Sequence, residues 1–341
     1  MIRRFVLGPV GFLILVGCVV GAPSVFSHYR VFELGFVAIY LCALLGLNIL
    51  TGLTGQISLG HGAFMGIGAY TTAILVVDHG WRDLWTLPLA GLVAGAVGIA
   101  FGLPATRFAG PYLALATFAI PLSFIGILKK YNHFTGGTTG KNLPLLHSEL
   151  GFKTNPSLWL YVVSWAVALV LLVFAWALVR GRLGRAFRAV RDSEVAATAN
   201  GISAMWLKTL AFGISAFFCG VSGGLFAIGV AYVNPDTFPI DLSILLLTGV
   251  VVGGAGSLGG MVFGALFVEF IRLTWAPDLV HIFSRVTTIG INTRAPGSAL
   301  VIYGAVLMLV LLAGPAGAAG LARRLLGTIA RSPSLSRMRG L

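Results

Sequence analysis

Charge is scarce in this sequence, and negative charge is the scarcer kind. Charged residues make up 10% of the 341, with 10 Asp and Glu against 23 Lys and Arg, where a soluble domain carries roughly a quarter. Together with 57% hydrophobic residues and a mean hydropathy of +0.96, that shortage excludes an ordinary water-facing surface and makes the chain a polytopic membrane protein. Cysteine is nearly missing too. Cys18, Cys42 and Cys219 all fall inside apolar runs, which excludes a disulfide framework and any metal-ligand spacing. No His, Cys and carboxylate cluster occurs within a span, so a membrane enzyme would have no constellation to work with. Thr135 to Asn142 looks like a phosphate loop at a glance, but the G-x-x-x-x-G-K-[ST] pattern needs Gly at 135 and Ser or Thr at 142. The net charge of +13 sits in short loops and a tail between apolar runs, which fits membrane topology and an anionic leaflet and not nucleic acid.

What is present is a series of apolar runs, each judged against the roughly 20 residues that a crossing helix needs. Met1 to Ala22 has the pattern of a secretory signal, yet a first spanning helix, Phe5 to Ser27, with Arg3 and Arg4 held inside is the expected reading. Leu34 to Val77 is too long for one helix and breaks naturally at Thr51 to Gly60, where glycines and hydroxyls cluster. Leu84 to Thr106, Pro111 to Leu128, Leu158 to Val179 and Thr209 to Val233 follow, separated by an outer turn at 78–83, an inner turn at 107–110 and a long hydrophilic loop, Lys129 to Pro156. Leu242 to Val268 is interrupted at Gly253 to Gly260, and Gly297 to Gly314 is the last apolar run. The expected fold is all-α, with about ten transmembrane or half-membrane helices, some of them broken and lining a pathway. Residues 1–320 form one transmembrane domain and 321–341 a basic tail.

One stretch interrupts this pattern with charge. Arg180 to Lys208 carries Arg180, Arg182, Arg185, Arg188, Arg191 and Lys208 against Asp192 and Glu194. Positive charge concentrates on the cytoplasmic side, so this loop and the tail are expected there, with both termini. Leu183, Phe187 and Val190 recur at helical spacing while Arg185, Arg188 and Asp192 share another face, which predicts a short amphipathic helix. If loop and tail share a side, an even number of crossings separates them, so the run from Leu242 to Ala276 must turn back at its glycines, as two short helices or a re-entrant pair.

Irregular backbone at membrane depth is tolerated only where it is buried in protein or lines a cavity. Candidates for a translocation path are therefore the polar set of the first break, Asn48, Thr51, Thr54, Gln56, Ser58 and His61, and the glycines of the second, Gly253, Gly254 and Gly256. Helix capping by those hydroxyls and amides, and a histidine bonded to a neighbouring helix, are the structural alternatives. Glu33, Glu269 and Arg272 lie at span edges, which leaves His61 as the one titratable group well inside. A carrier driven by protons would normally need more. Energy must then come from outside the chain, with an energy-independent channel or an ion-coupled carrier as the competing readings.

Five ordered blocks carry a family resemblance: Asn48 to Phe64, Gly110 to Thr117, Thr135 to Gly137, Gly184 to Ala197 with Gly201 and Ile202, and Gly253 to Gly259. From about residue 34 to 314 the sequence resembles the branched-chain amino-acid ABC transporter permeases, closer to the LivM type than to its LivH partner; the same family includes urea and short-amide permeases. The resemblance implies a non-enzymatic subunit in a bacterial inner membrane, paired with a second permease of LivH type. It further implies two ATPase subunits that hold the ATP and Mg, with no cofactor in this chain, and an extracytoplasmic binding protein. ATPase coupling would fall on Arg185, Arg188, Asp192, Glu194, Ala197 and Gly201. Val195 stands where the importer motif has Glu, with Glu194 one place early. The turn at Gly136 and Gly137 would be the external docking candidate.

Overall fold

The structure, a computed structural model, describes residues 9–144 except 109, residues 155–270, and beyond them Met308, Gly317 and Gly320. Arg3 and Arg4, the remainder of the 297–314 run and the tail 321–341 lie outside the described residues.

The apolar runs become helices with boundaries set by proline and glycine. Helix α1 is Pro9–Val25, α2 His28–Leu47, α3 His61–His79, α4 Asp83–Ala105 and α5 Pro111–Lys130. The short α6, Asn132–Thr135, leads to strand β1, Lys141–Asn142. Then come α7, Pro156–Arg180, α8, Arg182–Asp192, α9, Glu194–Ala199, and α10, Ala204–Val230. Strand β2, Tyr232–Val233, precedes α11, Ile240–Gly253, and α12, Gly260–Phe270. Pro111 and Pro156 occupy the first helical position, where the missing N–H has no partner to lose. Gly80 ends α3 in the left-handed region, φ +64°.

Six of the described helices are long and apolar enough to cross a membrane, and two shorter apolar ones accompany them. In α2 with its continuation to Leu53, and in α10, 89% of the apolar stretch is buried, against 28% in α5 and 33% in α7. The first two are therefore the centre of the bundle and the last two its flanks. α10 packs on α4, α3 and α2, while α7 packs on α2.

Lipid supplies no hydrophobic drive between helices, so close backbone approach through small residues carries the packing. The repeated glycines do this work. A Cβ on Gly91 of α4 would stand 2.7 Å from the Phe217 ring of α10, and one on Gly102 would stand 3.0 Å from Phe212 Cβ. Gly68 of α3 faces the Gly220 backbone, and a Cβ on Gly220 would meet the Ala90 carbonyl at 2.6 Å.

The second broken run turns back at its glycines, while residues 271–276 of the expected 242–276 unit lie outside the described residues. α11 and α12 pack against each other in antiparallel order, with Gly253 against Gly260 and Gly249 against Gly264. α11 alone, at 14 residues, rises about 21 Å, and reaches a spanning length of 19 residues only with the turn before it, as Pro235–Gly253. Gly317 lies against Gly254 and Val251, so the chain returns to the turn between α11 and α12.

At the opposite end, the loop after α5 is more ordered than an ordinary hydrophilic connection. β1 pairs antiparallel with β2, Lys141 opposite Val233, and Lys141 Nζ reaches Asp78 at 2.6 Å. Lys129 pairs with Asp236 at 2.8 Å. These contacts clip the ends of α3, α5 and α10 together.

Candidate functional site

The first break begins inside α2. At Asn48 the helix widens into a six-residue π-helical turn, Asn48–Leu53, then unwinds through 54–60 with Gly55 at φ +73°. Such wide turns concentrate at functional sites because they leave backbone groups unpaired. The hydroxyls and amides close on that backbone. Thr54 Oγ1 donates to the Leu50 carbonyl at 2.6 Å and Thr51 Oγ1 to the Gln56 carbonyl at 3.1 Å. Gln56 Nε2 donates to Thr54 Oγ1 at 3.0 Å and to the Lys208 carbonyl at 3.4 Å. His61 is fully buried between two hydroxyls, Nδ1 at 3.1 Å from Ser58 Oγ and Nε2 at 2.6 Å from Ser215 Oγ on α10. The first amides around α3 are capped from other helices: Leu59 N–H donates to Thr117 Oγ1 at 2.9 Å, and Gly62 N–H to Ser243 Oγ at 2.9 Å. Asn48, Thr54, Gln56, Ser58 and His61 are all buried.

The second break meets the first. Gly254 and Gly256 turn with φ +97° and +84°, and Gly256 N–H donates to Asn48 Oδ1 at 2.7 Å. Gly52 has no room for a side chain, since a Cβ there would stand 3.0 Å from Gly256 Cα. Gly253 and Gly254 are buried beneath this contact and Gly256 is exposed. Asn48 Nδ2 is buried with no partner among the described residues.

The charged stretch folds as two helices, α8 and α9, separated by Ser193, whose Oγ accepts the Ala196 N–H at 3.2 Å as an N-cap. The apolar face differs from the expected one. Phe187 and Val190 are buried, but Leu183 is 41% exposed and Gly184 takes the inner position, because α8 folds back tightly on the Val179 backbone where only a glycine fits. Arg185 and Arg188 are exposed and reach the Arg180 and Val179 carbonyls at 3.3 and 3.4 Å, capping the end of α7. Asp192 is exposed. Ala197 is buried with Val190 and Ala204. Gly201, φ +76°, ends α9 in a Schellman turn: its N–H donates to the Thr198 carbonyl and that of Ile202 to Ala197, both at 3.0 Å. Ala197 is thus a buried helical contact and Gly201 a left-handed cap. Glu194 is ion-paired with Lys208, so the exposed place beside it belongs to Val195, 79% exposed.

Two residues of this site escaped the sequence reading. Arg191 donates from Nη1 to the Gly52 carbonyl, and Lys208 ties α9 to α10. Gly52 lies 139 residues from Arg191, and a backbone carbonyl leaves no motif. Glu269, expected at a span edge, is buried on α12, and neither carboxylate oxygen has a partner among the described residues. Of the external candidates, Gly137 is buried and Gly136 half-buried; both have positive φ, and Gly137 N–H donates to Thr135 Oγ1 at 3.1 Å. They shape a turn that exposes Tyr131 and Phe134.

A bundle of apolar helices, two of its runs broken and joined, with a charged helix fastened to the joint, defines a polytopic helical membrane protein. Residues 29–313 match the family model described as branched-chain amino acid transport system / permease component, and the chain belongs to that family. It is similar to the high-affinity branched-chain amino acid transport system permease protein LivM of Escherichia coli K12, at 35% identity over 258 residues, covering 69% of this chain and 60% of that protein. It therefore spans about 60% of the length of the LivM proteins it matches. LivH of the same organism is 28% identical over 251 residues, covering 67% of this chain and 79% of LivH. The autoinducer 2 import system permease protein LsrC of Enterobacter sp. strain 638 is 28% identical over 256 residues, covering 73% and 70%. No solved structure matches.

Proposed function

We propose that this chain is a permease subunit of an ATP-driven importer for branched-chain amino acids, namely leucine, isoleucine and valine, or a similar small solute. The observation that carries the reading is the bond from α8 to the first broken run, which is itself bonded to the second, in a chain of this permease family. A loop that only set topology would need no such attachment.

The chain crosses a bacterial plasma membrane about ten times, counting half-membrane segments, with both termini and residues 180–208 on the cytoplasmic side. Two ATPase subunits dock on the cytoplasmic face, at the exposed surface of α8, α9 and the start of α10, where Leu183, Val195, Met205 and Trp206 stand near Arg182, Arg185 and Arg188. They bring the ATP and Mg; this chain contributes no catalysis. A second permease of LivH type completes the pore and an extracytoplasmic binding protein delivers solute to the end bearing Gly136 and Gly137. The path runs beside Asn48, Thr51, Thr54, Gln56, Ser58, His61 and the turn Gly253 to Gly256, and opens alternately to the two sides.

Uptake by vesicles containing the full set of subunits tests this reading. ATP-dependent accumulation of leucine supports it, accumulation of urea or a short amide in its place assigns the chain to the other substrate class, and uptake persisting without the ATPases makes it a facilitator.

A further inference from the structure

We propose that Arg191 is the positioning residue through which α8 moves both broken runs as one unit. The inference rests on the transport reading above and adds the contact that transmits motion.

The carbonyls at the end of a helix lack intrahelical partners and carry the negative end of its dipole. Gly52 stands at that end of the continuous run His28–Leu53, and the Arg191 guanidinium donates to its carbonyl across 139 residues of sequence. A charged donor there forms a stronger bond than a neutral one. The joint has no slack. A Cβ on Gly55 would stand 3.3 Å from Arg191 Cγ, and one on Gly256 would stand 3.3 Å from the Gly52 carbonyl and 3.7 Å from Arg191 Nη1. Gly256 is in turn held by Asn48, one turn back on the same π-helical segment. Displacing α8 therefore carries Gly52 with it and, through the glycine contact and Asn48, the α11–α12 turn. Arg185 and Arg188 make no such link, since their acceptors belong to the end of α7. The buried Asn48 Nδ2, without a partner among the described residues, is a donor that another arrangement can satisfy.

The test uses the full chain assembled with its ATPases, Cys18 replaced by Ser, and a reporter cysteine at Ile57 or Ser257, one in each break. Cys42 and Cys219 are buried and stay out of reach of a hydrophilic maleimide. Adding Mg-ATP with vanadate should change the labelling rate of both reporters by at least about fivefold, the low end of coupling between sites. Arg191→Ala should reduce both responses to within about twofold of the nucleotide-free rate, and Arg191→Lys should restore part of each, since it keeps a cationic donor. Unchanged responses in Arg191→Ala overturn the inference, as does nucleotide-insensitive labelling of the parent. Loss of ATPase co-purification with Arg191→Ala also overturns it, because Arg191 would then be a docking residue. Leucine uptake is measured separately. Its absence beside an intact, Arg191-dependent response removes the solute assignment and leaves the transmission contact standing.

Discussion

Glu194 closes an ion pair with Lys208, joining the first residue of α9 to α10 on the far side of the Gly201 turn. The Lys208 side chain is 10% exposed and Glu194 53%, so the pair lies between a surface bridge, worth roughly 0–1 kcal/mol, and a buried one whose cleavage strands a charge. Lys208 also accepts Gln56 Nε2 at its carbonyl. A change in the loop is therefore felt at the first break.

Glu194→Lys combined with Gly201→Pro should abolish ATP-driven uptake while the protein still inserts in the membrane. The first change places two cations side by side. The second forces φ near −65° at a position that adopts +76° and deletes the N–H that donates to Thr198. Uptake at the parent rate by the double variant, with equal amounts in the membrane, would refute the coupling role of 180–208.

The glycine contacts predict a sharp contrast between two substitutions. Gly220→Ala should lower thermal stability in detergent by about 1–3 kcal/mol, the usual cost of overpacking, because its Cβ would meet the Ala90 carbonyl at 2.6 Å. Gly126→Ala on α5 has nothing within 4 Å and should be neutral or stabilising by up to about 1 kcal/mol through helix propensity. Melting curves of the two purified variants decide this; equal effects would mean that the α4–α10 contact is looser than described.

Much of this bundle could be read from hydropathy alone. Leu84 to Thr106 and Leu158 to Val179 each became a helix with ends shifted by a few residues, because a lipid-facing backbone has no other way to satisfy itself, and Pro9–Val25 is the described, helical part of the Phe5 to Ser27 run. Both breaks were legible as glycine and hydroxyl clusters for the same reason. Their meeting was not legible, since Asn48 and Gly256 lie 208 residues apart and the acceptor on Gly52 is a carbonyl. The misplacement of Leu183 has a local cause: periodicity assigns faces by side-chain size, and the tight fold-back at Val179 gave the inner place to Gly184.

His61 offers a test of whether the first break binds solute or only holds helices. Both ring nitrogens are engaged, so the geometry favours holding. Ser215→Ala leaves Nε2 buried without a partner, which should cost about 1–3 kcal/mol of stability. The apparent KM for solute should stay within about twofold, since no binding contact is removed. A large rise in KM at unchanged stability would place His61 on the path.

Glu269 decides between external and ionic energy. Glu269 is buried in a membrane helix with no partner among the described residues, and such a carboxyl often marks an ion route or a proton relay. An importer driven by ATP from other subunits has no use for one, and Gln fills the same volume without a charge. Glu269→Gln should therefore retain ATP-dependent uptake within about twofold of the parent. Collapsing the proton and sodium gradients with ionophores at constant ATP should leave both proteins equally active. If the gradients matter to the parent and cease to matter in Glu269→Gln, the carboxyl carries an ion, and the chain is an ion-coupled carrier whose motive force enters at α12 and not at α8.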